Sequence, residues 1–110
     1  MAARKSGTPP GTLDLLALKS LSLRPLHGVG IAERIDQITG GAFQVSFGSL
    51  FPCLHQMEEK GWVTAQWGVS ENNRRAKYYG LTASGRRRLK LEVKDWRRLV
   101  DVIDLALRSG

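Results

Sequence analysis

Side chains that can hydrogen-bond without carrying charge collect on one face of the stretch Ser46 to Gly61, SFGSLFPCLHQMEEKG. Wound at about 3.6 residues per turn, it sends Phe47, Leu50, Leu54 and Met57 to one side, a core-facing stripe. Gly48, Ser49, Pro52, His55 and Gln56 fall on the other, and apart from Glu59 this outer face holds no acid. With Ser46 at its entrance, so slim and uncharged a leading half suits a DNA major groove, where side chains meet base edges and a carboxylate would be repelled by phosphate. A second polar run, Gly68 to Arg75, reads GVSENNRR. Its Arg74 and Arg75, with Lys77 just beyond, can neutralise a sugar-phosphate backbone, while Asn72 and Asn73 can hydrogen-bond phosphate or a minor-groove acceptor.

Catalytic constellations are not found. There is no phosphate-binding glycine loop ending in lysine, and Phe47-Gly48-Ser49-Leu50-Phe51 lacks the final glycine of a nucleophile elbow. Gly28-Val29-Gly30 imitates the start of a dinucleotide fingerprint, but Glu33 occupies the third glycine position and no strand is expected before it. Cys53 and His55 stand about 160° apart around a helix and cannot share a metal. No enzyme, metal or cofactor is expected. His27, beside Gly28, reads as a residue that caps or packs a helix entrance.

The charge distribution points the same way as the polar runs. The net charge is +7 over 110 residues. Up to Gly68, six Lys and Arg face five Asp and Glu; from Val69 to Arg98, ten basic residues face three acids. An excess so concentrated favours a polyanion as partner. A single cysteine excludes a disulfide framework, and no run reaches the eighteen or so apolar residues of a membrane span, so a cytoplasmic protein is expected. Residues 1–11, with Arg4 and Lys5, read as a flexible basic arm.

Several elements must position these groups. Thr12 to Leu23 is a first helix, with Thr12 as its cap, Asp14 in its first turn and Pro25 as its stop. Gly28 to Thr39 is a second, with Ile31, Ala32, Ile35 and Ile38 inward. Residues 42–45 are a candidate extended piece. Pro52 requires that the third helix either start near Ser49 or open with an irregular turn, and Gly61 closes it. After Gly61 the period changes to two, giving strands over 62–67 and 76–81 around the basic loop, with Trp62 and Trp67 expected to pack the core and the hairpin. Three helices followed by a hairpin with a basic tip is the order of a winged helix-turn-helix, an α+β and mainly helical fold spanning residues 12–82.

The segments GTLDLLALKSL, LHGVGIAERI, GSLFPCLHQMEEKGW and ENNRRAKYYGLTASGRRRL resemble, in order and spacing, the signatures of PadR-type transcriptional regulators, over about Gly11 to Trp96. The resemblance is to the short members, with one helix after the wing. It implies a dimeric winged-helix repressor, with DNA contacts from Ser49, Phe51, Pro52 and His55 on the third helix and from Asn73, Arg74, Arg75 and Lys77 on the wing. Where such proteins often carry tyrosine, this chain has Val29 and Phe51, and each missing hydroxyl is worth about 1 kcal/mol of phosphate binding.

The last element, residues 83–110, is one long helix capped by Thr82. Leu89, Val93, Trp96, Val100, Ile103 and Leu107 repeat at alternating steps of four and three, a heptad seam. Some 26 residues make a rod of about 39 Å, too long for so small a domain to cover. A second copy of this helix, together with a partner's first helix through Leu15 and Leu18, would bury it. Trp96 offers two readings: a large side chain packing the dimer core, or one of a pair that sandwiches a small flat aromatic effector. Of Arg86, Arg87, Arg88, Lys90 and Lys94, one or two can reach phosphate near the wing while the rest face solvent. The expected partner is double-stranded DNA carrying an inverted repeat. The competing reading is a winged helix that engages an acidic protein without sequence-specific DNA binding.

Overall fold

The structure is a computed structural model that describes residues 11–109. The basic arm, with Arg4 and Lys5, lies outside the described residues except for Gly11. The elements run α1 (Thr12–Ser20), β1 (Leu26–His27), α2 (Gly28–Ile38), α3 (Phe47–Glu59), β2 (Val63–Val69), β3 (Arg75–Leu81) and α4 (Ala83–Arg108). The three strands form one antiparallel sheet in the order β1-β3-β2. This is the winged helix-turn-helix expected, with the long helix appended.

Leu18, Leu21, Ile31, Ile35, Leu50, Leu54, Met57 and Val63 are closed from solvent and bring α1, α2, α3 and the base of β2 into one core. Burying a side chain of that size contributes about 1.5–3 kcal/mol, so these eight supply the main driving force for the helical layer. The sheet packs on one side of that layer through Val63 and Tyr79, paired with Leu81 and Ala65 respectively.

Several expectations are corrected. Thr12 does not cap α1; Gly11 does, at φ 83°, and no side chain caps the helix. α1 stops at Ser20, three residues short of Leu23, which is 73% exposed. The last turn tightens there, Leu21 and Ser22 donating to the carbonyls of Leu18 and Lys19, and buried Ser20 donates its hydroxyl back to Ala17 at 2.7 Å. Residues 42–45 form no strand; Phe43 and Val45 instead lean on the core. The third strand is β1, two residues long, with Leu26 opposite Tyr79 and His27 opposite Tyr78. α3 starts at Phe47, not near Ser49, and contains Pro52. The proline therefore has no N–H for the carbonyl of Gly48, which lies on the exposed face.

Thr82 caps α4 as expected, accepting from the Gly85 N–H at 2.9 Å and donating to the Gly61 carbonyl at 2.7 Å. α4 leans on the domain only through its first half. Leu89 packs against the core, whereas Trp96, Leu99, Val102, Ile103, Leu105 and Leu107 are each about half exposed or more. The molecule is consequently 57 Å long, against 35 and 23 Å in its other dimensions.

Candidate nucleic-acid interface

Ser46 accepts from the Ser49 N–H at 3.2 Å and so fixes where α3 begins. Its own hydroxyl donates to Ser49 Oγ, which leaves the Ser49 proton free to turn outward. Leu50, Cys53, Leu54 and Met57 anchor the inner face. Ser49, Pro52, His55 and Gln56 are therefore held on the exposed side, with Gly48 beside them. His55 Nε2 lies 3.3 Å from Glu59, so the acid at the far end of this face engages the histidine on the preceding turn.

Phe47, expected in the core, is 46% exposed. It sits about 60° off the centre of the buried stripe and stacks on Phe51, the ring centroids 5.7 Å apart. Phe51 does double service. Its ring tip covers Gly28, where an added Cβ would meet Cζ at 2.7 Å, and the rest is open to solvent. Only a glycine at the start of α2 lets α3 come so near.

The wing turns through residues 70–74. Ser70 donates to the Arg74 carbonyl at 2.8 Å, Asn73 donates to the Ser70 carbonyl at 2.9 Å, and Asn73 takes φ 58°, a left-handed conformation that asparagine tolerates. Asn72, Asn73, Arg74 and Arg75 are all exposed. Arg74 has no side-chain partner among the described residues, whereas Arg75 lies 4.6 Å over the Trp67 ring. Lys77 is turned inward instead, its Nζ 3.4 Å from Glu58 of α3 and near the Tyr79 ring. It bridges wing and helix.

His27 caps α2 as expected. Its Nδ1 accepts from the Gly30 N–H at 3.0 Å, which fixes the proton on Nε2, and Nε2 faces Glu71 of the wing at 3.3 Å. Glu71 is held below the ordinary carboxylate range, first by its own backbone N–H and then by His27. Two basic residues after the wing are also spoken for. Arg86 donates to the Ser22 carbonyl at the end of α1, and Arg88 pairs with Glu92 at 2.8 Å while lying over Trp62. Arg87, between them, is exposed and has no partner among the described residues. Cys53 is buried, its thiol pushed up to about 12 by burial and by Asp14, to which it donates at 3.1 Å.

The exposed face of α3 and the basic wing thus lie on adjoining elements, tied by Lys77 to Glu58, while His27 at the start of α2 meets Glu71 of the wing. The model of the "Transcriptional regulator PadR-like family" matches residues 17–91. The chain belongs to that family. PadR-like proteins are transcriptional regulators, not enzymes, and bind DNA. An uncharacterized protein of Lysinibacillus sphaericus is 28% identical over 99 residues, covering 90% of this chain and 91% of its own. A PadR family transcription regulator of Clostridium difficile superposes with a TM-score of 0.75 at 26% identity, over 88% of this chain and 99% of that one. A putative transcriptional regulator of Thermoplasma acidophilum gives 0.73 at 27%, over 91% and 94%. A regulator from Clostridium thermocellum reaches 0.77 at 23%, over 86% and 91%, a likeness of fold.

Two features of this PadR-like chain escaped the sequence. Leu18, expected to meet a partner, is wholly inside its own core, while Leu15 is half-buried. Trp67, expected to pack, is 60% exposed. Its signal was present in the alternation of β2, but only the length of the core shows where that alternation runs out into solvent.

Proposed function

We propose that this PadR-like regulator is a homodimer that represses transcription by binding an inverted repeat, α3 entering the major groove and the wing lying along the backbone. The observation that carries the reading is the pairing of two unsatisfied surfaces on one chain. At one end is an exposed, hydrogen-bonding α3 face flanked by Arg74 and Arg75; at the other is an apolar α4 seam that its own domain leaves half exposed. Ser49, Pro52, His55 and Gln56 would meet base edges and nearby phosphates. Phe51 would offer its open ring edge to sugar or a thymine methyl. Asn72, Asn73, Arg74 and Arg75 would hold the backbone.

An open cleft of about 670 Å³ beside α4, floored by Leu89 and Val93 and rimmed by Lys19, Lys90, Lys94, Arg97, Arg98 and Asp101, is where a partner's helix would settle. Trp96, Val100, Ile103 and Leu107 would continue that contact, and with Trp96 near the axis the pair could also admit a flat aromatic effector. A protein-interaction module would have no use for two α3 faces held at a fixed separation.

The test is binding to a duplex recovered from a randomised pool, at several salt concentrations. Affinity should fall steeply with salt as counterions are displaced, and half-sites should lie about one helical turn apart. Arg74→Ala with Arg75→Ala should weaken binding to all sequences and flatten the salt slope by about 1 for each phosphate no longer neutralised, whereas His55→Ala or Gln56→Ala should change which sequences are preferred. Recovery of no duplex, or a monomer at micromolar concentration, would sink the reading.

A further inference from the structure

Along β2 the residues facing the core are Val63, Ala65, Trp67 and Val69, opposite Leu81, Tyr79, Lys77 and Arg75 of β3. Val63 is buried and Ala65 half-buried, but Trp67 and Val69 are 60% and 64% exposed. The apolar face of the sheet thus continues past the helical layer as an overhang. The opposite face of the wing carries exposed Gln66 across from half-buried Tyr78. There Tyr78 lies against Gly68, donates its hydroxyl to the Val69 carbonyl at 3.0 Å and meets the ring of His27 edge-on.

The overhang is not left over from hairpin packing. It faces the side on which α3 lies, since Lys77, directly opposite Trp67, reaches Glu58 of that helix. Arg75 stacks its guanidinium on the indole, which places a fixed positive charge beside an apolar plate. A solvent-exposed tryptophan of this kind suits a ligand that is apolar in one region and anionic in the next. A deoxyribose flanked by its phosphate has that pattern, and an apolar side chain at a minor groove is a recurrent device.

We infer that Trp67 is a DNA-contacting residue: its indole packs on deoxyribose at the edge of the minor groove, while Arg75, aligned on the ring, meets the adjoining phosphate. The inference rests on the DNA-binding reading above and adds an uncharged contact to a wing otherwise read through its charges. What Trp67 contributes is insensitive to salt, because no counterion leaves when an indole meets a sugar. What Arg75 contributes is not.

The experiment uses the full chain and a duplex of about 30 base pairs, roughly three helical turns, recovered by the wild type from a randomised pool. Trp67→Ala should weaken binding roughly 5- to 30-fold with an unchanged salt slope, and Trp67→Phe should recover most of the loss. Arg75→Ala should instead flatten the slope by about 1. Because Trp67→Ala could also loosen the hairpin, a second measurement labels the wild type with 5-fluorotryptophan. Of its three fluorine signals, the one missing from Trp67→Phe should shift when duplex is added, and that of Trp62, half-buried between Lys60 and Arg88, should not. A Trp67 signal that stays in place at saturating duplex, or Trp67→Ala binding within twofold of the wild type, overturns the inference while leaving DNA binding intact. Failure of the wild type to recover any duplex would overturn the underlying reading instead.

Discussion

Gly85 stands where the first turn of α4 crosses the entry to β2. A Cβ added there would run into the carbonyl oxygen of Trp62, far inside the 3.0 Å that real Cβ atoms respect, and would lie 2.9 Å from the carbonyl carbon. That peptide cannot swing aside. Its oxygen accepts from the Thr82 N–H at 3.0 Å, and the Trp62 N–H donates to the Met57 carbonyl at 2.9 Å. Gly85→Ala must therefore push the two backbones away from each other by on the order of an ångström, an overpacking that costs about 1–3 kcal/mol. Losing the Thr82 to Trp62 hydrogen bond adds about 1 kcal/mol, and the helix preference of alanine returns up to about 1 kcal/mol. The net loss is about 1–4 kcal/mol. Urea unfolding at one fixed protein concentration should show it as a midpoint lower by about 0.5–2 M. Gly48→Ala is the control, because its Cβ would find only Ser46 Oγ, 4.0 Å away, and it should be neutral or slightly stabilising. If Gly85→Ala unfolds with the wild type, the packing of α4 on the base of the wing is not as described.

Two further outcomes concern titrating groups. The Cys53 thiol, raised from its ordinary 9.0 to about 12 by burial and by Asp14, should resist an aromatic disulfide reagent in mildly alkaline buffer until denaturant is added. The stability it contributes is whole below pH 9.0 and is lost as the pH rises towards 12; rapid labelling of the folded chain would contradict both statements. Glu71 is shifted the other way, so its contribution is present above the ordinary glutamate range and disappears as the pH falls through its lowered value. Carbon-13 NMR of its carboxyl should show a midpoint below that range. In His27→Asn, which keeps a cap on α2, the midpoint should return only some of the way, because the larger cause is Glu71's own amide.

Sequence alone determined the elements whose cause is local. Thr82 and His27 sit where a helix begins and carry acceptors, so these two caps were legible or nearly so from composition and spacing, whereas the Ser46 cap was hidden by Pro52, which pointed to a later start for α3. α4 was legible in full, because its heptad repeat exceeds anything a single small domain can cover. The exposed α3 residues and the wing arginines followed from the 3.6-residue period and a polar loop between two alternating runs. Tertiary structure decided whatever depends on how far a neighbour extends. β1 is two residues long and exists only because β3 runs alongside it. Phe47, expected in the core stripe, stacks instead on Phe51, whose ring tip is held over Gly28 of α2. Lys77, Arg86 and Arg88 look in sequence like free charges, yet acids and a carbonyl brought in from 4 to 64 positions away engage them. Trp67 has the periodicity of a core residue and the exposure of a surface one, because periodicity fixes the face on which a side chain lies and only the packed neighbours fix where that face ends.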